Sequence, residues 1–194
     1  MFTREEYLKL ESGQSKHRFF NSILLGTLCL SLLVVSKQII YPMYERMSGI
    51  EAQRVEKQEI GNIMNDESVR TCRYTDSLGH ATIGVGHLVT KSDTFGNCIT
   101  THEAIALLQK DYRYAKSNVE KRYPWAEGEV KLVLINMTFQ LGESRLAGFK
   151  KTLQYLEEGD YTKASGELLD SEMFLQTPSR LVRHAARILT LTEV

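Results

Sequence analysis

The sequence predicts an α+β chain, mostly helical, with one small β-hairpin and a single transmembrane helix near its N-terminus. Three observations carry that prediction. An uncharged, apolar stretch runs from Phe19 to Ser36. A turn-rich segment from Val69 to Gly86 has the short strands and glycines of a hairpin. From Thr101 to Thr190 apolar residues recur mainly at helical spacing.

The chain has 194 residues, with 24 basic and 24 acidic side chains and so no formal net charge. That length suits one ordinary domain plus an appendage. The neutral balance gives no ground for nucleic-acid binding. It also offers little attraction to an anionic polymer, which a protein tethered beside its substrate would need less.

Residues 1–18 form a polar tail ending in Lys16, His17 and Arg18. As a helix, Phe19–Ser36 would extend about 27 Å, close to the roughly 30 Å hydrocarbon thickness of a bilayer. Ile39, Ile40 and Tyr41 prolong the span, and Lys37 can snorkel. Residues 19–41 are therefore read as an uncleaved signal anchor. The basic cluster before it keeps the N-terminus cytoplasmic and sends the rest across. A cleaved signal peptide competes, since Val34 and Ser36 are small, but the long tail and long apolar core oppose it. A buried soluble helix fits less well, because the stretch is apolar all round. Residues 42–56 are read as a linker. Tyr44 to Ile60 has helical character, with Met47, Ile50 and Val55 on one side, and is expected as a solvated spacer or as a continuation into the first domain helix.

The folded domain is expected over residues 57–194. Ile60, Ile63 and Met64 have helical spacing and deliver Glu67 at a helix end. Val69, Cys72 and Tyr74 lead into a turn centred on Asp76 to Gly79, and Ala81 to Val85 is the return strand. Two acids, Glu67 and Asp76, thus leave different elements and can face each other across a groove. That arrangement suits glycosidic bond cleavage, in which one carboxyl donates a proton and the other, ionised, activates a water. Glu67, at a helix end packed on apolar neighbours, is the expected acid; Asp76, in a polar turn, is the expected base. Thr82 is the hydroxyl expected to hold the water. His87 is expected as a supporting residue, paired with a carboxylate or satisfied structurally.

Beyond a short Leu88–Asn97 segment, Thr100 or Thr101 caps a helix with Glu103 in its first turn. Ala104, Leu107, Leu108 and Tyr112 mark its packed side, and it ends near Tyr123-Pro124-Trp125. Glu127–Phe139 is apolar on most faces and belongs in the core; Gly142 ends it. Phe149–Glu157 and Tyr161–Leu169 are further helices divided by Gly159-Asp160. Ser179–Thr190 closes the chain, with Leu181, Val182, Ala185 and Ile188 facing inward.

Glu67, Asp76 nine residues on, and Thr82-Ile83-Gly84-Val85-Gly86-His87 form a pattern that resembles the T-even phage lysozymes, family 24 glycoside hydrolases. Two further blocks agree and keep their order: Ile135 to Glu143 with Ala147-Gly148-Phe149, and Gln176-Thr177-Pro178-Ser179-Arg180. The resemblance covers Lys57 to the C-terminus. It implies a lysozyme-like domain with a small hairpin lobe and a larger helical lobe around a cleft. It implies a monomeric catalytic domain whose partner is peptidoglycan, and a muramidase that cuts the β-1,4 bond between N-acetylmuramic acid and N-acetylglucosamine with inversion. No cofactor is implied, and no His/Cys cluster has metal-ligand spacing. Arg180 should reach Glu67. Leu88, Phe139, Thr152 and Glu167 should contact substrate, and Gln140 and Gln176 should line or brace the cleft. Glu167 stands where the family has an amide, and Met173 where it often has a tryptophan. The short Leu88–Asn97 segment trims the family's usual β-rich insertion.

Some phage endolysins resemble the whole plan: a weakly hydrophobic anchor holds them in the host inner membrane until depolarisation releases them into the periplasm. Asn21, Ser22, Gly26, Thr27, Ser31 and Ser36 favour release, while the leucines, valines and phenylalanines favour a permanent anchor. The implied role is host cell lysis from that membrane. The alternatives are a virion-associated lysozyme that opens the wall during genome delivery, and a non-catalytic wall-binding or lysis-regulating protein. Export would place Cys72 and Cys98 in an oxidising space, where a bond between them would tie the hairpin to the following helix. Cys29, inert in lipid, would attack that bond after release, as a redox latch. The competing reading makes Cys29 and Cys72 small apolar residues.

Overall fold

A computed structural model describes residues 36–76 and 79–193. The N-terminal tail, the 19–35 part of the expected anchor and Cys29 lie outside the described residues. The chain divides into two compact units, Met1–Val55 and Glu56–Val194.

In the first unit a π-helical turn, Ser36–Ile40, leads into helix α1, Tyr41–Asp66, which runs on into the second unit. Pro42 closely follows the π-helical turn; lacking an N–H, it cannot bond the carbonyl four residues back, and the widened turn lies just before it. The expected linker 42–56 is therefore helical throughout. Its Met43, Met47 and Ile50 are exposed, as is Ile40 before it. Among the described residues, no helix is long and apolar enough to cross a membrane.

The second unit opens with the end of α1 and then a sheet. Strands β1 (Arg70–Thr75), β2 (Ala81–Gly84) and β3 (His87–Leu88) pair antiparallel in the order β1-β2-β3. The predicted hairpin is present, with a register irregularity between Arg70 and Tyr74. The third strand is an addition: two residues are too few for alternation to reveal. Gly86, with φ 76°, lets the chain reverse between β2 and β3.

Helix α2 (Thr101–Arg122) starts on a reciprocal cap. The Thr100 hydroxyl accepts the Glu103 N–H at 3.1 Å, and the Glu103 carboxylate accepts the Thr100 N–H at 2.7 Å. Helix α3 (Gly128–Leu141) stops at Gly142, φ 78°. Then follow α4 (Glu143–Leu146), α5 (Lys150–Glu158), α6 (Tyr161–Leu169), α7 (Glu172–Gln176), α8 (Pro178–Leu189) and a 3-10 turn, Thr190–Glu193. Neither α4 nor α7 is anticipated by the sequence, since each is barely one turn long.

Helix α3 is the axis of the core. Its Val133, Leu134, Ile135 and Met137 are buried, joined by Ile63, Leu108, Leu146, Leu156, Leu168 and Ile188. A smaller cluster of Ile83, Ile99 and Ala104, flanked by Val89, Phe95 and Leu107, supports the sheet. Val182 differs from expectation: it is 51% exposed. The buried positions of α8 are Arg180, Leu181, His184, Ala185 and Ile188. Two polar side chains thus take inward places, and one of them goes to the site.

Candidate active site

Glu67 is the first residue past α1, and its N–H still donates to the Ile63 carbonyl at 2.9 Å. Its carboxylate is met by the cation that the family resemblance implies there. Arg180 Nη2 donates to Glu67 Oε1 at 2.7 Å. The Arg180 side chain, only 7% exposed, is shared: its Nε lies 3.3 Å from Asp66 Oδ2. Arg183 holds the other Asp66 oxygen. Alternating charges therefore run Glu67, Arg180, Asp66, Arg183, and Glu67 takes only part of the Arg180 charge. On its other side lies Gly86, where an added Cβ would stand 3.9 Å from the Glu67 carboxyl.

Asp76 is fixed by its own turn. Its N–H donates to the His80 carbonyl at 2.9 Å, and its Oδ1 accepts the His80 N–H at 2.8 Å. The His80 Nδ1 stands 3.4 Å from Asp76 Oδ2. Thr82 lies on β2 opposite Tyr74 and is buried. Its hydroxyl donates to the His80 carbonyl at 3.2 Å. With that proton spent, the Thr82 oxygen is left as an acceptor. One residue, His80, so anchors both Asp76 and Thr82. Tyr74 lies within the field of both acids. Burial raises its hydroxyl pKa above the usual value; Arg70 opposes this, and Glu67 and Asp76 add to it.

Asp76, Thr82, His87, Leu88, Phe139 and Gln140 line one cleft of about 550 Å³. Glu67 is not on its wall but lies against Gly86, which is. Thr152, Glu167 and Gln176 line a neighbouring cavity of about 660 Å³, together with Met173. The two share Leu141 and Arg145. The expected substrate contacts therefore divide into two sets. In the second, Glu167 is paired with Lys151 Nζ at 3.3 Å.

His87 is buried between two carboxylates. Nδ1 is 2.7 Å from Asp111 Oδ2 on α2, and Nε2 is 3.4 Å from Asp93 Oδ2. The Asp111 hydrogen bond raises the imidazole pKa above its ordinary value, against desolvation. Asp93 is lowered, first by the Thr90 N–H. This pairing fastens the sheet to α2. Cys72 and Cys98 form a second fastening: they are disulfide-bonded across a β-bridge, with Cα atoms 3.9 Å apart. The bond, and not the competing reading of a small apolar residue, describes Cys72, which is exposed.

With this geometry in place, comparison with known sequences decides the family. The phage lysozyme family pattern matches residues 64–177, more than half of the chain. The chain belongs to the phage lysozyme family. Two relatives from Dictyostelium discoideum, the probable T4-type lysozymes 1 and 2, are each 30% identical over 142 residues, 59% of this chain and 84% of theirs. The pre-baseplate central spike protein Gp5 of Enterobacteria phage T4 is 30% identical over 154 residues, 66% of this chain and 27% of its own. As a lysozyme, the chain is a glycoside hydrolase, and its family's substrate is peptidoglycan.

Several residues of this lysozyme site lie beyond the sequence reading. Asp66 and Arg183 complete the charge chain, and only their positions beside Glu67 and three residues from Arg180 hint at it. Asp111 meets His87 from 24 residues away, with no local signal. His80 falls between the predicted turn and the return strand, and its backbone role has no side-chain signature. Among the described residues, no group of three or more potential ligands is placed to hold a metal ion.

Proposed function

We propose that this lysozyme is a muramidase, cutting the β-1,4 bond between N-acetylmuramic acid and N-acetylglucosamine in peptidoglycan. Glu67 is the proton donor, Asp76 the base, and Thr82 the water-holding hydroxyl. The observation that carries this reading is the joint anchoring of Asp76 and Thr82 on His80 at the cleft wall. A water there donates one O–H to the Thr82 oxygen and the other to the Asp76 carboxylate. As Asp76 takes its proton, the water oxygen bonds to the anomeric carbon. The bond to the leaving oxygen breaks, and that oxygen takes the Glu67 proton. Arg180, 2.7 Å from Glu67, stabilises the carboxylate that Glu67 becomes. Attack opposite to the leaving group gives inversion.

The test uses the full chain in mild detergent on purified peptidoglycan, with new reducing ends trapped by borohydride. Reduced muramic acid is expected, and the first-formed product should be the α-anomer. Reduced glucosamine would overturn the bond assignment, and an absence of new ends would overturn the activity.

We read residues 19–41 as a signal anchor in the host inner membrane, residues 42–56 as its helical spacer, and the periplasm as the site of a monomeric catalytic domain acting in host lysis. The uncharged Phe19–Ser36 run and the basic flank before it support this. Fractionation before and after an uncoupler separates a releasable anchor, which moves to the soluble fraction, from a permanent one. Thiol trapping tests the latch: Cys29 still free in the soluble enzyme ends it. A virion-associated role is the second reading, favoured by the 30% identity to a phage spike protein. Its mark would be the chain in purified particles.

A further inference from the structure

The first unit carries an exposed apolar stripe. On α1, Met43, Met47 and Ile50 are 61%, 60% and 61% exposed, so packing within the unit does not account for them. Their spacing of four and then three residues sets them in one line along the helix, the pattern of a coiled-coil seam. Ile40, also exposed, precedes Met43 by three. Arg54 takes the next position of the repeat and ends the seam, one residue short of the unit's boundary at Val55. Charges of opposite sign flank the stripe. Arg46 borders one side and Glu51 the other, and both are exposed. Glu51 also stands 3.7 Å from Arg54 of its own helix, an exposed pair that holds it only weakly.

A second copy of this chain matches both the stripe and its borders. In a parallel pair about a two-fold axis, each seam residue meets its counterpart, and Arg46 of each copy reaches Glu51 of the other, five residues on. An antiparallel pair would set the two basic borders together and the two acidic borders together. A bilayer surface matches less well, because Glu51 beside the stripe would face anionic headgroups. We infer that residues 40–54 of two copies pair as a short parallel coiled coil, joining two anchored enzymes through their spacers. The inference rests on the reading of residues 19–41 as a membrane anchor. Two copies inserted in one orientation leave the bilayer at the same residue, so their seams start level and run parallel. A seam this short pairs weakly in free solution, and confinement to one membrane raises the local concentration. The catalytic domain contributes no residue to the pairing.

The experiment places single cysteines along α1 of the full chain, in a Cys29→Ser background that keeps the Cys72–Cys98 bond. Membranes of the expressing cells are then oxidised with copper phenanthroline. Met43→Cys, Met47→Cys and Ile50→Cys should link two copies, whereas Glu45→Cys and Ser48→Cys, on the other side of the helix, should link about fivefold more slowly. In the Met47→Cys chain, Arg46→Glu or Glu51→Arg should slow the link about fivefold, because like charges then meet across the seam. The two together should restore it. Equal rates at positions 45, 47 and 48 would overturn the pairing, as would a double swap that fails to recover. Seam cysteines shielded from a water-soluble maleimide, yet never linked, would overturn it in favour of a helix lying on the bilayer. All the substituted positions of α1 are exposed, so none disturbs the core. Fractionation of the same cells reads the anchor separately. A chain found wholly in the soluble fraction sinks that reading, and the same cross-linking pattern on the purified full chain then decides the pairing: seam-specific links support it, and their absence refutes it.

Discussion

The sheet side of the cleft rests on Ile83, Ile99 and Ala104, whereas the helical side rests on a continuous cluster reaching from Ile63 through α3 to Ile188. The sheet makes up the deficit with cross-links. Cys72–Cys98 ties β1 to the segment before α2, and His87 ties β3 to α2 through Asp111. The helical side needs none, because apolar burial there is extensive. Each side holds one member of the proposed acid pair: Asp76 by its own hairpin, Glu67 by Arg180 of α8. The difference teaches that base and acid depend on different forces, so each can be disturbed with the other left in place.

The same contrast marks the two buried histidines. His87 sits among carboxylates and is raised above its ordinary pKa. His184, on α8, has Nε2 3.2 Å from Asn136 Oδ1; burial, reinforced by Arg187, Arg180 and Arg183, pushes its pKa down to about 3.

The largest effect should come from emptying the helical core. Leu134→Ala should cost about 2–5 kcal/mol, read by denaturant unfolding. Next comes the sheet's covalent tie. Replacing Cys72 and Cys98 by serine should cost roughly 2–4 kcal/mol. Hydrogen exchange should show the loss concentrated in residues 70–88, with α3 amides little changed; uniform loosening would break the comparison. The third effect is acid lability. Between pH 6.5 and about 3 the unfolded chain protonates His184 while the folded chain does not. Stability should therefore fall with pH by up to about 1.4 kcal/mol per unit, and His184→Gln should reduce that slope. The smallest effect belongs to His87. Its raised pKa contributes stability below the ordinary histidine value, and that contribution is lost as pH rises through the folded value. His87→Gln should abolish this alkaline decline, measured by thermal unfolding across pH; the effect is limited because desolvation opposes the Asp111 bond.

Local signals in the sequence were legible where a few adjacent residues decide the structure. The Thr100–Glu103 cap, the stops at Gly142 and Gly159, and the hairpin around Asp76 are of this kind. Helix α1 realises one of the two expected arrangements, the continuation of the Tyr44–Ile60 helix into the domain; its exposed half lacks a packed face that would decide between them. Strand β3 and helices α4 and α7 are shorter than any period that would reveal them. Apolar spacing alone points Val182 inward, since it cannot show that Arg180 and His184 take the inward side of α8. The meeting of Arg180 with Glu67, across 113 residues, came from family resemblance and not from spacing. Asp66, Arg183 and Asp111 depend on three-dimensional neighbours, and a linear pattern carries no trace of them.

The most direct test measures the rate of reducing-end release from purified peptidoglycan by the parent, Glu67→Gln and Asp76→Asn, each shown to be folded by its thermal unfolding. A proton donor and a base acting on one linkage predict a loss of about 100-fold or more in each variant. A parental rate from either folded variant would contradict the account.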